Sequence, residues 1–480
     1  MILLILQRPI LFGFDNYLFR DWGSNLVAHY LVSIGLRPNI GFGYNYGLLG
    51  LLLGGACFDF IGPTPYACQG VMLLGAILTA WALARIAAYL ELPLYKLAFL
   101  AVTLPFGVHL AYPSLGHSIE AALVSNAIAE QLAGRKAMAL ALCAAAVFAI
   151  PKLAYFYGLI LIALIVVEFK RSPRNILTQF VPAAVTAIAL ALVLGWVYSP
   201  SALVRTILPL HGITNYHAQR NGFFTGTSRS FYYFPGVRIG FYLGGPTGFW
   251  LVCTFWLLVN GAISLRRRLR GQLNPRDEIV FTCTALQVAF VTVMYGPPGT
   301  WIYYSYILVI GVAAIREEPL RLSHAVIGAM IVLSLVSNKS DLLELRHRYA
   351  SMRATQQSFG LWASADEIRE WQYVIGLVRG DRVAILTEAG AAALYAPEAE
   401  KPVALNMFPG YPVDEELSRE VVMLQSAKFV LAPISSVEEL EGPSYGGALR
   451  YYPELARALA GDDKFYRGKY FVVYRLSAAR

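Results

Sequence analysis

Four places in this sequence carry residues whose types and spacing suit chemistry on a hydroxyl group and an anion. Asp21 stands between Arg20 and Trp22, ahead of the half-polar run SNLVAHYLVSIG. A carboxylate there could take a proton from an acceptor hydroxyl; it could equally cap the helix that follows or pair with Arg20. Glu120 lies in YPSLGHSIEAALVSN with His117 three residues earlier, so the two share a helical face. The structural alternative is an acid placed at a helix start by the dipole. Asn126 and Glu130 extend a polar stripe deeper along the same helix. Lys152, in FAIPKLAYFYG, either snorkels to phospholipid headgroups or binds one phosphate as a point charge. The fourth place is segment 199–245, with Arg205, Arg220, Arg229, Arg238, His211 and His217. No Asp or Glu occurs between Glu168 and Asp277. Arginines spaced by Gly, Ser, Thr and aromatic residues, without acids to neutralise them, suit a phosphate or pyrophosphate. Phe231, Tyr232, Tyr233 and Phe234 would sit at headgroup depth, and a general headgroup-binding loop is the plainer alternative.

The elements that must hold these residues are apolar. Of 480 residues, 57% are hydrophobic and 14% charged, where a soluble domain carries about 25% charged residues. Runs at about 66–88, 97–113, 114–133, 137–151, 153–169, 176–198, 246–265, 278–295, 300–315 and 322–338 each approach the length of a bilayer span. With the short apolar start at 1–14, they predict about eleven membrane helices. Segment 47–61 is short and contains Asp59, and it reads as a helix at the outer interface. On that reading the loops holding Arg85 and Lys96, Arg135 and Lys136, Lys170 to Arg174, Arg266 to Arg276, and Arg316 and Arg321 all fall on one side. The positive-inside rule makes that side the cytoplasm. The expected protein is then an α-helical polytopic protein of the inner (plasma) membrane with its N-terminus cytoplasmic and no cleavable signal.

The chain divides into a transmembrane part, 1–338, with outer loops 15–65 and 199–245; a polar connector, 339–365; and a small extracytoplasmic α/β domain, 366–480. In that last part ADEIREWQYVIGLV and DEELSREVVMLQSA read as helices. RVAILTE, KPVALNM, KFVLAPI and YFVVYRL read as strands. The basic excess lies in the membrane part: residues 341–480 hold 16 Lys/Arg and 19 Asp/Glu, against 39 and 30 in the whole chain. The lipid bilayer is the expected partner, and no nucleic acid is. The five cysteines lie in or beside apolar runs without metal-ligand spacing, and they read as buried small hydrophobes.

The stretch RDWGSNLVAHYLVSIGLRPNIGFGYNYGLLGLLLGGACFDFIGPTPYACQ resembles the first outer loop of the GT-C membrane glycosyltransferases, the class that includes protein mannosyltransferases and lipid A aminoarabinose transferases. The matching residues are Asp21, the helix 24–34, Gly35 to Pro38, and Tyr46-Gly47-Leu48-Leu49, where the family carries a YGPL-like element. Glu120 in GHSIEAALV looks like the acid of the second outer loop, and Lys152 in AIPKLAYFYG like the lysine that follows the fifth span. Trp22 stands where the family places a second acid, and Leu48 replaces the proline. The resemblance implies a polyprenyl-phosphate-linked sugar donor and an acceptor that is a glycan, lipid or protein. Asp21 would be the catalytic base and Glu120 a second carboxylate. Lys152, Arg220, Arg229, Arg238, His117, His217 and Tyr46 would bind the donor and its phosphate. No cofactor is assigned, and a divalent metal ion is left open. The alternatives from other classes are a transporter or flippase of a lipid-linked saccharide, which would carry internal repeats and midplane charges, and a scaffold displaying the C-terminal domain.

Overall fold

The computed structural model describes residues 27–44, 46–62, 65–107, 115–169, 176–208, 246–272, 274–289, 306–316, 320–337, 365–385, 418, 421–423, 425–434 and 463–476. Asp21, His211, His217, Arg220, Arg229 and Arg238 lie outside these residues, as do the candidate strand KPVALNM and the first predicted span.

The apolar runs are helical nearly where periodicity and length place them. In chain order they are α1 (27–33), α2 (Leu48–Ile61), α3 (Pro65–Tyr89), α4 (Leu94–Gly107), α5 (Leu115–Leu132), α6 (Lys136–Ala149), α7 (Pro151–Phe169) and α8 (Ile176–Tyr198). There follow α9 (Pro200–Ile207), α10 (Pro246–Leu269), α11 (Pro275–Ala289), α12 (306–314) and α13 (Leu320–Ser337). The helix α9 opens the segment that reads from sequence as loop: Pro200 sits in its first turn and the Ser199 hydroxyl accepts from the Ala202 amide. Two helices among the described residues, Gly70–Tyr89 and Leu177–Tyr198, are long and apolar enough to cross a membrane. Along α8, Leu177, Val181, Val185, Ile188, Leu192 and Trp196 form one exposed face, Leu177 at 78% and Trp196 at 87%. An apolar stripe of that length facing outward suits contact with lipid or with another protein.

Contacts divide the chain into two compact units. The first contains the described residues of 71–193 and 231–346. Its core is a continuous cluster that includes Phe99, Val124, Ile128, Tyr157, Leu161, Leu257, Cys283 and Tyr306 to Ile315. α5, α6 and α7 pack in sequence order, α10 packs on α11 and α13, and α11 reaches both α5 and α7. Cys143, Cys253 and Cys283 are buried free thiols inside this core, as small hydrophobes would be. The helix ends that carry the basic loops are fastened by their own polar residues. Lys136 Nζ lies 3.2 Å from Glu278 and Arg267 3.1 Å from Asp277. Lys96, fully buried, donates to the Ile315 carbonyl, and Arg276 donates to that of Leu90. The polar stripe below Glu120 is structural at Glu130, where Arg85 and Arg135 both pair with it. Asn126 is likewise spent on the Leu78 and Ala122 carbonyls.

The second unit contains the described residues of 27–70, 194–208 and 365–476. α1 rests on α2 through His29, whose ring lies 5.9 Å from that of Phe58. Burial holds His29 neutral, with its pKa pushed down to about 3. The C-terminal part is a four-stranded mixed sheet of order β1-β2-β4-β3, with β1 Val383–Ile385, β2 Phe429–Pro433, β3 Asp463–Arg467 and β4 Phe471–Arg475. β1 runs parallel to β2 and the other pairs are antiparallel. The edge strand β3 is absent from the sequence reading, because DKFYR is mostly charged and has no apolar alternation. Helix α14 (Ala365–Leu377) lays Trp371 on Phe471 at 5.3 Å between ring centres.

One carboxylate ties that helix to the β3–β4 turn. Glu370 accepts from the backbone amides of Lys469, Tyr470 and Phe471 at 3.0, 3.0 and 2.9 Å. Each bond to a charged acceptor contributes on the order of 1.5–3 kcal/mol, less for the exposed ones. Glu370→Ala should therefore destabilise the hairpin by about 2–4 kcal/mol. Hydrogen–deuterium exchange of the full chain reads this directly: residues 463–476 should lose protection while α5 to α7 keep theirs.

Candidate active site

Three of the residues singled out for chemistry meet at one end of α5. Glu120 sits in its second turn and is fully buried. His117, one turn earlier, places Nδ1 3.2 Å from Glu120 Oε2. The third member comes from α7. Ile150 alone links α6 to α7, so Pro151 and Lys152 are the first residues of the next helix rather than a free hairpin. That placement aims the α7 N-terminus at Glu120: the Leu153 backbone N–H faces the carboxylate, and the Lys152 charge acts on both Glu120 and His117. A helix N-terminus and an ammonium group together form an anion-binding corner. Lys152 itself is half-buried.

Two glycines let the helices come close enough for this. A Cβ on Gly75 of α3 would lie 2.8 Å from the Ser118 carbonyl oxygen, between His117 and Glu120 in sequence. A Cβ on Gly116 would lie 2.9 Å from both the Ala149 carbonyl oxygen and Ile150 Cγ1. Ser118 returns a hydrogen bond to the Met72 carbonyl at 3.2 Å. The start of α5 is thus gripped between α3 and the α6–α7 junction. Gly75→Ala would gain about 0.5–1 kcal/mol of helix propensity and lose about 1–3 kcal/mol to overpacking against backbone that cannot rotate away. The expected result is a lower melting temperature in detergent together with reduced activity, and Gly116→Ala should behave alike.

Tyr306 of α12 also belongs to this neighbourhood. It is 1% exposed, and its hydroxyl lies within electrostatic range of Glu120. Sequence alone does not single it out from Tyr303 and Tyr304 in the same apolar run.

In the second unit the turn after α1 is joined to α9. The chain turns at Pro38 and Asn39, the latter with φ 57°, and returns to Phe42. Asn39 Nδ2 donates to Thr206 Oγ1 at 2.8 Å and its Oδ1 accepts from the Tyr44 amide at 2.9 Å. The Arg205 guanidinium donates to the Asn39 carbonyl at 2.8 Å. Arg205, the first arginine of 199–245, is thereby fixed on the Pro38–Phe42 turn. Tyr46, partly buried, packs edge-on against Tyr44 at 5.8 Å. Asp59 is exposed near Tyr198 and reads as structural. Among the described residues no group of three or more His, Cys, Asp or Glu could hold a metal ion.

No known family model matches this chain, and no curated protein sequence matches it. Among solved structures, the chain is similar to the crystal structure of the Archaeoglobus fulgidus oligosaccharyltransferase in complex with Zn and sulfate. That alignment covers 95% of this chain and 69% of the other, at 12% identity and a TM-score of 0.46.

Proposed function

We propose that the protein is an integral-membrane glycosyltransferase that moves a sugar from a polyprenyl-phosphate-linked donor to an acceptor hydroxyl at the outer face of the membrane, with inversion. The observation that carries this reading is the convergence of His117, Glu120 and Lys152 from two helices on one corner of the first unit. Carboxylates and cations brought together in this way suit a reaction that removes a proton at one point and develops phosphate charge at another. The acceptor oxygen bonds to the anomeric carbon as the bond from that carbon to the phosphate oxygen breaks. The acceptor proton passes to a carboxylate, Asp21 as base in this scheme with Glu120 as the second acid. The electron pair leaves with polyprenyl phosphate. Lys152, Arg220, Arg229 and Arg238 are the proposed cations for that phosphate, with His117, His217 and Tyr46 as further donor contacts. The exposed apolar face of α8 supports residence in a bilayer, and the multi-pass topology with an extracytoplasmic C-terminal domain is part of the same proposal.

The test is transfer from a radiolabelled polyprenyl-phosphate sugar in proteoliposomes. Asp21→Asn and Arg229→Ala should each reduce product by about 10²-fold or more, with free polyprenyl phosphate released in step with transfer by the unmodified protein. Full transfer by both variants would reject the proposed residues. Movement of intact donor across the bilayer without polyprenyl phosphate release would establish a flippase instead.

A further inference from the structure

The chain leaves α8 through Ser199, whose φ of 105° turns it sharply, and enters the short helix α9. Leu203 packs back toward the last turn of α8, where a Cβ on Gly195 would lie 3.8 Å from Leu203 Cδ2. Ala202, Leu203 and Thr206 are buried, so α9 turns its other side outward. That side carries Val204, 57% exposed, Leu208, 54% exposed, and Arg205. The Leu208 amide bonds to the Val204 carbonyl at 2.9 Å, which stacks the two aliphatic side chains one turn apart. The turn after α1 lies against the same helix and exposes Ile34, Arg37 and Ile40. Its Asn39 carbonyl takes one N–H of Arg205 at 2.8 Å. A guanidinium has five such donors, so Arg205 is anchored and keeps the rest of its fork at the exposed surface.

Exposed aliphatic residues scattered singly are ordinary. These are grouped around two arginines, and the group begins where Leu177–Tyr198, long and apolar enough to cross a membrane, ends. Trp196, in the last turn of α8, is exposed, and tryptophan is enriched at the level of lipid headgroups. Aliphatic side chains beside arginine on the outward side of a helix suit the plane of the interface: the apolar part enters the acyl boundary and the guanidinium stays with the phosphates. Charge agrees with that occupant. The Lys, Arg, Asp and Glu residues among the described 27–62 and 194–208 are Arg37, Arg205 and Asp59, a positive balance that an anionic lipid surface complements.

We infer that α9 and the 34–40 turn form an interfacial patch seated on the phospholipid surface, with Val204 and Leu208 at the acyl boundary and Arg205, positioned by the Asn39 carbonyl, on the phosphate of an anionic headgroup. The inference rests on residence of α8 in a bilayer, which belongs to the proposed function, and not on sugar transfer. Bimane fluorescence of the full chain in phosphatidylcholine nanodiscs tests it. Cys57→Ala and Cys68→Ala clear the background, since Cys143, Cys253 and Cys283 are buried. Bimane is then placed at Val204→Cys, at Leu208→Cys and, on the exposed side of α8, at Val185→Cys. Doxyl-labelled lipids should quench all three. At 204 and 208 doxyl phosphatidylglycerol should quench about fivefold more effectively than doxyl phosphatidylcholine, the preference that one basic residue gives at a membrane surface. Arg205→Gln should bring that ratio near one, and Arg205→Lys should restore it. Quenching at 204 and 208 by aqueous iodide alone overturns the inference, with α8 still in lipid if 185 is quenched by doxyl lipid. Iodide quenching at 185 as well removes the bilayer residence on which the proposed function stands. Protection of 204 and 208 from both quenchers means that protein covers the face, and equal quenching by the two lipids in the presence of Arg205 means that it holds no headgroup; each overturns the inference. Loss of the preference on adding polyprenyl phosphate at a few mole per cent would give Arg205 to the donor instead and overturn it likewise.

Discussion

Glu120→Gln is expected to lower the turnover of sugar transfer by about 10²–10⁴-fold, the range lost with a general acid–base group. The substitution keeps side-chain volume, and glutamine can still bond to His117 Nδ1, so the start of α5 should remain where Ser118 and Gly116 hold it. What disappears is the carboxyl group in the corner formed with Lys152 and the α7 N-terminus. If the carboxylate acts in the transition state, kcat falls and the donor KM stays within about tenfold. Altering a buried hydrogen-bonded group also destabilises, by about 1–3 kcal/mol. The melting temperature in detergent must therefore be measured beside the rate. A variant that melts lower but turns over at the normal rate would make Glu120 a structural acid.

Lys152→Met is expected to lower kcat/KM for the donor by about 10²–10³-fold, or roughly 3–4 kcal/mol, the loss found when one preorganised stabiliser of developing charge is removed. Methionine matches the apolar stem, and Pro151 still opens the helix, so α7 should form normally. The loss should appear chiefly in kcat if the ammonium meets the leaving phosphate, and chiefly in KM if it binds the ground-state donor equally well. Lys152→Arg should restore part of the rate, since the charge returns in a planar fork of different reach. Equal kinetics for Lys152→Met and the unmodified protein would reduce Lys152 to a headgroup anchor, which its half-buried position also permits.

These expectations differ in how early they could be formed. The pairing of His117 with Glu120 follows from their spacing, because residues three apart share a helical face. The approach of Lys152 does not follow from spacing. It needed α6 packed against α5 and joined to α7 by Ile150 alone, with Ile150 against Gly116, which places the α7 N-terminus beside Glu120. Glu130 reads in sequence as more of the same polar stripe. Ten residues along a helix is about 15 Å, and there Arg85 and Arg135 claim it. Tyr306 is indistinguishable in sequence from its neighbours Tyr303 and Tyr304. The strand β3 was illegible because it is a short, charged edge whose backbone is held by β4 on one side.

Helix positions and the burial of Cys143, Cys253 and Cys283 were readable from residue order because the burial of apolar surface is non-directional and scales with area. A run of the right length and hydrophobicity is driven into a helix in lipid whatever lies beside it. Hydrogen bonds and ion pairs are short-ranged and directional. Which acid is clamped by arginine and which faces a lysine were settled by helix packing, at contacts as close as Gly75 on Ser118.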